Sequence, residues 1–183
     1  MSASAQRLET ALARLEARNL KARIGAVEEL AHVVNEVVDR VVGELEKPGD
    51  ARFMIFERLG RFGTTVVEPL EQLLNRSDDH ELQVLAAAAL LTNGSRAGLQ
   101  NLLRAVSEDD PLICVSVRVL TVAGIAQAAE SIEVVLMTCD LKKTAMLECL
   151  VEGLKTLGKS IPDGVLDRLR SVEPSWLRDS FLA

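Results

Sequence analysis

The sequence contains no tyrosine, one tryptophan and four phenylalanines among its 183 residues. That scarcity leaves few ring platforms to hold a nucleobase, a sugar or a flat cofactor. Positive charge is also short, since 21 Lys and Arg against 27 Asp and Glu leave a net charge of −6. With no dense basic run, a phosphate backbone is disfavoured as a ligand. Nor does any uninterrupted apolar run approach the roughly 18 residues of a membrane-spanning helix. The cysteines, Cys114, Cys139 and Cys149, lack metal-ligand spacing and read as buried, reduced thiols. The opening Met1-Ser2-Ala3-Ser4-Ala5-Gln6-Arg7 lacks the basic-then-apolar order of a secretory signal. A soluble, cytoplasmic protein is the expectation.

Catalytic patterns are equally scarce. There is no Gly-x-Ser-x-Gly elbow and no glycine loop of phosphate- or dinucleotide-binding type. His32 and His80 lie far apart in sequence, the first read as a partly buried structural residue and the second as exposed in a turn. Carboxylate pairs such as Glu28-Glu29 or Glu68 with Glu71 read as solvated helix faces. The acidic clusters Asp78-Asp79-His80-Glu81 and Glu108-Asp109-Asp110 lack the ligand alternation of a calcium loop and read as helix caps. No catalytic residue, cofactor or metal is assigned, and a non-enzymatic protein is expected.

What the chain does contain is self-similarity. Gly63, Gly94, Gly124 and Gly158 are spaced by 31, 30 and 34 residues, a period typical of stacked helix pairs. An apolar helical segment precedes each glycine. A second follows it, carrying Leu70/Leu73/Leu74, Leu99/Leu102/Leu103, Ile132/Val135/Leu136 or Leu166/Leu169. Four pairs are therefore expected from Ala51 to Val172, and one pair alone buries too little to fold without its neighbours. Asp50, the run Ser77 to Asp79, Asp109-Asp110 and Asp140 are the expected start signals. Pro69 and Pro111 fit first helical turns.

Ahead of the repeats, residues 1–48 read as a helical arm that ends at Pro48-Gly49. Ser4 is its expected cap, with a bend at Asn19-Leu20-Lys21. Ile24, Val27, Ala31, Val34, Val38, Val41 and Leu45 alternate steps of three and four, the seam of a coiled coil. Leu30, Val33 and Val37 widen the apolar face beyond that seam. Two roles compete: a cap on the first helix pair, or a handle that forms a homodimer.

Residues 78–110 resemble a HEAT repeat. An acidic start is followed by Leu82-Gln83-Val84-Leu85-Ala86-Ala87-Ala88-Ala89-Leu90, a turn, Leu99-Gln100-Asn101-Leu102-Leu103 and an acidic close. The resemblance covers about two thirds of the chain and loosens in the fourth pair. Gln83 stands where the family often has Arg, and Asn93 or Ser95 where it often has Asp. The resemblance implies an all-α, right-handed α-α superhelix of about four helix pairs over residues 51–183. It also implies a non-enzymatic scaffold or adaptor that holds a partner protein or peptide on its concave side. The alternative is ligand handling, because HEAT-like folds also include bilin lyases and DNA glycosylases.

Should the second helices line that side, consecutive repeats present ladders to solvent. One runs Glu71, Gln100, Glu133, Asp167; the next Gln72, Asn101, Val134, Arg168; a third Asn75, Arg104, Met137, Ser171. Val134 and Met137 break the polar pattern and are the candidate partner contacts, flanked by Glu71, Gln72, Asn101, Arg104, Glu133 and Arg168. Burial by rotation of their helix is the competing reading. Trp176, with Leu177, Phe181 and Leu182, is expected to seal the last pair or to anchor a partner.

Overall fold

The computed structural model describes residues 3–182, leaving aside the side chains at positions 50, 177 and 182. The described residues form helices and connecting turns, with no strand among them. The chain divides into two compact units, one reaching Pro69 and the other starting at Leu70.

The first unit opens with α1 (Ala3–Leu15) and α2 (Leu20–Glu44), packed side by side as a helical hairpin. The expected bend is real: Asn19 is the N-cap of α2, its side chain accepting from the Lys21 N–H at 2.9 Å. Ala11 of α1 and Ala26 and Val33 of α2 are buried. Ser4 does not cap α1, which already begins at Ala3; its hydroxyl donates to Glu36 Oε2 on α2 at 3.2 Å. Arg7 Nη2 donates to Glu36 Oε1 at 2.6 Å and also to Oε2. The guanidinium holds the Glu36 carboxyl below its ordinary range.

The Pro48-Gly49 stop separates two helices of one unit. Beyond it come α3 (Asp50–Leu59) and a short 3-10 segment, Gly60–Val66, broken at Gly63. Both neighbour α2, whose lower half buries Val38, Val42 and Leu45. Arg52 of α3 is buried, with Nε donating to the Leu45 carbonyl at 2.8 Å. It answers the bare carbonyls at the C-terminus of α2. Asp50, the expected cap of α3, lies outside the described side chains.

The unit boundary falls inside α4 (Val67–Arg76), with Pro69 in its first turn as expected. The second unit continues with α5 (His80–Thr92), α6 (Leu99–Ser107), α7 (Ile113–Val122), α8 (Ala128–Thr138), α9 (Thr144–Thr156), α10 (Asp163–Leu169) and α11 (Ser175–Leu182). Neighbour relations form two rows. α5 lies beside α7 and α7 beside α9; α6 lies beside α8 and α8 beside α10. Rungs join α5 to α6, α7 to α8, and the intervening α6 to α7 and α8 to α9. α5 is buried on almost every side, Leu82 and then every residue from Val84 to Leu91, as expected of a helix apolar all round.

Turn chemistry repeats with the rows. Gly94, Gly124 and Gly158 have φ of +86°, +67° and +66°, just past the ends of α5, α7 and α9. At each, the following N–H reaches back to a carbonyl five residues earlier: Ser95 to Leu90, Ile125 to Leu120, Lys159 to Leu154. This is the glycine-terminated C-cap that only a residue without Cβ adopts cheaply. The same bond, Asp110 to Ala105, closes α6, with Asp109 at φ +52° in the glycine position.

At helix starts, Asp79 Oδ1 accepts from the Leu82 N–H at 3.1 Å, and Gln83 Nε2 donates to the Ser77 carbonyl at 2.7 Å. Gly98, just ahead of α6, is pressed onto α5, where an added Cβ would sit 2.3 Å from Ala87 Cβ. The starts of α7 and α9 fall two to four residues later than their start signals suggest. Asp110 Oδ1 accepts from the Leu112 N–H, so Pro111 lies in a turn and α7 begins at Ile113. Asp140 Oδ1 likewise accepts from the Lys142 N–H ahead of α9. Gly153 of α9 meets α7 closely, its absent Cβ only 2.6 Å from Val117 Cγ1.

Candidate interaction surface

The row α6–α8–α10 carries most of the expected ladder, and its members fare differently. Val134 is 61% and Met137 46% exposed on α8, so the helix is not rotated to hide them. Their neighbours on the same helix, Ile132, Val135 and Leu136, are the buried set. The 3.6-residue period thus leaves two aliphatic side chains on the outer face. Met137 leans along α10, its Cε within 3.4 Å of where a Gly164 Cβ would stand.

On α6, Arg104 is exposed and Asn101 half-buried. Ser107 and Ser131 hydroxyls meet at 3.1 Å, tying α6 to α8 beside the patch. Glu133 is half-buried and Gln72 exposed. Glu71 accepts from the Ser95 hydroxyl at 2.8 Å, so one of its oxygens is engaged on the turn after α5.

Arg168 has an internal task. Its Nη2 donates to the Cys139 carbonyl at 2.8 Å and its Nη1 to the Leu136 carbonyl. These are bare carbonyls at the C-terminus of α8, where a cation is favoured. A shallow cleft of about 640 Å³ opens beside it, bounded by Asp140, Lys142, Ser171 and Glu173. Its rim mixes both charge signs. Trp176 is 67% exposed and does not seal the last pair, whereas Phe181 is buried. Leu177 and Leu182 lie outside the described side chains.

The arm residues split in two. Ile24, Val27, Ala31 and Val34 are exposed, while Val38 and Leu45 are buried and Val41 half-buried inside the first unit. The last three are consumed by intrachain packing and cannot continue a seam. His32 is exposed on α2, against the expectation of partial burial.

Sequence reasoning missed the side-chain ties between neighbouring interhelix turns. His80 at the start of α5 bonds Asp110 through Nε2, and Lys143 Nζ donates to Asp109 Oδ2 at 2.7 Å. The partners are 30 and 34 residues apart, the same offsets that separate the glycines. That coincidence of offsets was the available signal. The acidic clusters therefore serve as caps and as corner staples together. Among the described residues, no group of three or more His, Cys, Asp or Glu could hold a metal ion.

Of the three thiols expected to be buried, Cys139 is, whereas Cys114 and Cys149 are half-buried. Burial raises the Cys139 thiol above its ordinary value. Burial, then the neighbouring Cys114 thiol, pushes Cys149 up to about 12, and its Sγ lies 3.6 Å from the Cys114 carbonyl oxygen. Such a thiol is a poor nucleophile at neutral pH. Among the described residues, no helix is long and apolar enough to cross a membrane.

Comparison with protein-family models, with curated proteins and with solved structures finds no match to this chain.

Proposed function

We propose that the helix pairs from Leu70 onward form a short right-handed α-α superhelix of HEAT type. On this reading the chain is a non-enzymatic, cytoplasmic adaptor that holds a partner protein or peptide on its second-helix row. The carrying observation is the exposed Val134–Met137 pair on α8, set between the exposed Arg104 of α6 and the polar surface of α10. Two half-bare aliphatics amid polar side chains suit a small apolar anchor with a polar rim. The two neighbour rows and the shared glycine caps support the superhelix. Trp176 is a second anchor at the far end of the same unit.

The test compares proteins captured by the wild-type chain with those captured by V134E/M137E. Both substitutions fall on exposed positions, so helicity should be kept. The reading expects at least one protein that binds directly, in purified form, to the wild type and about 10- to 100-fold more weakly to the variant. Equal capture by both would remove the patch from the proposal. The ligand-handling alternative expects instead a visible-absorbance shift when a bilin is added to the purified chain.

A further inference from the structure

An uncovered apolar face lies on the hairpin of the first unit, far in sequence from the residues used above. Leu12 and Leu15 of α1 and Leu20, Ile24, Val27 and Val34 of α2 are each at least one-third exposed. Leu15, Leu20, Ile24 and Val27 line one continuous groove of about 500 Å³, rimmed by Arg23 and Glu28. Together the six expose roughly 500 Å² of apolar surface, within the 300–600 Å² range of the largest patch on a typical monomer, which is often functional.

We infer that this face pairs with the same face of a second copy, two hairpins forming a four-helix bundle. Three observations select that occupant. The first is size: two such faces bury on the order of 1,000 Å² of apolar surface before any polar rim is added, enough for a specific dimer. The second is spacing. Ile24, Val27, Ala31 and Val34 keep the three-four alternation of a helix that packs on another helix, and it is this half of the seam that the fold leaves bare.

The third observation is charge. A two-fold interface brings residue i against j and j against i, so its rim must be self-complementary. Across the axis, Glu28 meets Arg23 of a parallel copy or Lys21 of an antiparallel one, an opposite charge either way. The charged residues that line the groove are one of each sign, Arg23 and Glu28. A near-neutral, mixed rim suits a copy of itself. An anionic lipid surface would call for a basic one. The inference does not depend on the adaptor reading, because it uses none of that surface.

Sedimentation equilibrium of the full chain tests it. The wild type should approach twice the 19.9 kDa chain mass as concentration rises. I24E/V27E should sediment as one chain, with dimerisation at least about 100-fold weaker and far-UV helicity unchanged, since both side chains are more than half exposed. V134E/M137E should stay dimeric, which separates this interface from the partner patch. A wild type that remains a single chain at every soluble concentration overturns the inference. So does a dimer indifferent to I24E/V27E. A monomer that floats with phosphatidylserine vesicles overturns it in favour of a lipid surface.

Discussion

Gly98 and Gly43 show how differently one residue type is constrained. An added Cβ at Gly98 would lie 2.3 Å from Ala87 Cβ and 2.5 Å from its Cα, and backbone cannot step aside. Gly98→Ala should cost about 3 kcal/mol or more, seen as a lower midpoint in urea unfolding. Nothing stands within 4 Å of a Cβ built at Gly43 on α2. Gly43→Ala should therefore stabilise by about 0.5–1 kcal/mol through helix propensity alone. Ser116 offers a polar counterpart. Its hydroxyl is buried on α7 and meets no hydrogen-bond partner. Ser116→Ala, which removes that uncompensated group, should be neutral or stabilising by up to about 1 kcal/mol in the same unfolding measurement. None of these contrasts is visible in sequence. Gly98 and Ala87 are eleven positions apart, and only packing shows that one presses on the other.

At the scale of elements, the hairpin depends on a pairing that pH can undo. Glu36 takes two bonds from Arg7 and one from Ser4, and its folded pKa is lowered below the unfolded value. A depressed carboxyl contributes stability that is present above the unfolded pKa and lost as pH falls through the folded one. Acidification below the ordinary carboxylate range should therefore loosen α1 from α2. The expected readout is faster amide exchange in α1 on lowering the pH, after correction for intrinsic rates. E36Q should show the loosened state already at neutral pH and little further response to acid. If acid and neutral rates match in the wild type, the pair does not hold α1.

Helix existence was legible throughout, and α8 buries the Ile132, Val135 and Leu136 expected of it. The late starts of α7 and α9 were not. Pro111 suits a helix N-terminus, and the sequence does not say that Asp110 and Asp140 first turn the chain. The arginine caps were hidden for a related reason. Arg52 and Arg168 look like exposed helix cations until the preceding helix end is placed beside them.

At the scale of the whole molecule, the glycine period marks the turns that close α5, α7 and α9 in the second unit, each ended by the same backbone bond. It was silent on which apolar faces stay uncovered. Periodicity reports that a face is apolar, not what lies against it. Ile24 and Val38 belong to one heptad pattern, yet the first is half-exposed and the second buried. Burial so unevenly shared predicts uneven protection. α5, buried along nearly its whole length, should hold the slowest amides, opening only with global unfolding. α1 buries Ala11 alone among its described apolar side chains and should exchange among the fastest in an isolated chain. In the self-paired state the same α1 amides, together with those from Leu20 to Val34, should slow as concentration rises, while α5 stays unchanged. Hydrogen exchange at two concentrations a hundredfold apart reads both effects in one experiment. Concentration-dependent protection confined to α1 and the first half of α2 is the expected pattern. Protection that appears instead over α6 and α8 would place self-association on the adaptor row and leave the hairpin face without its second copy.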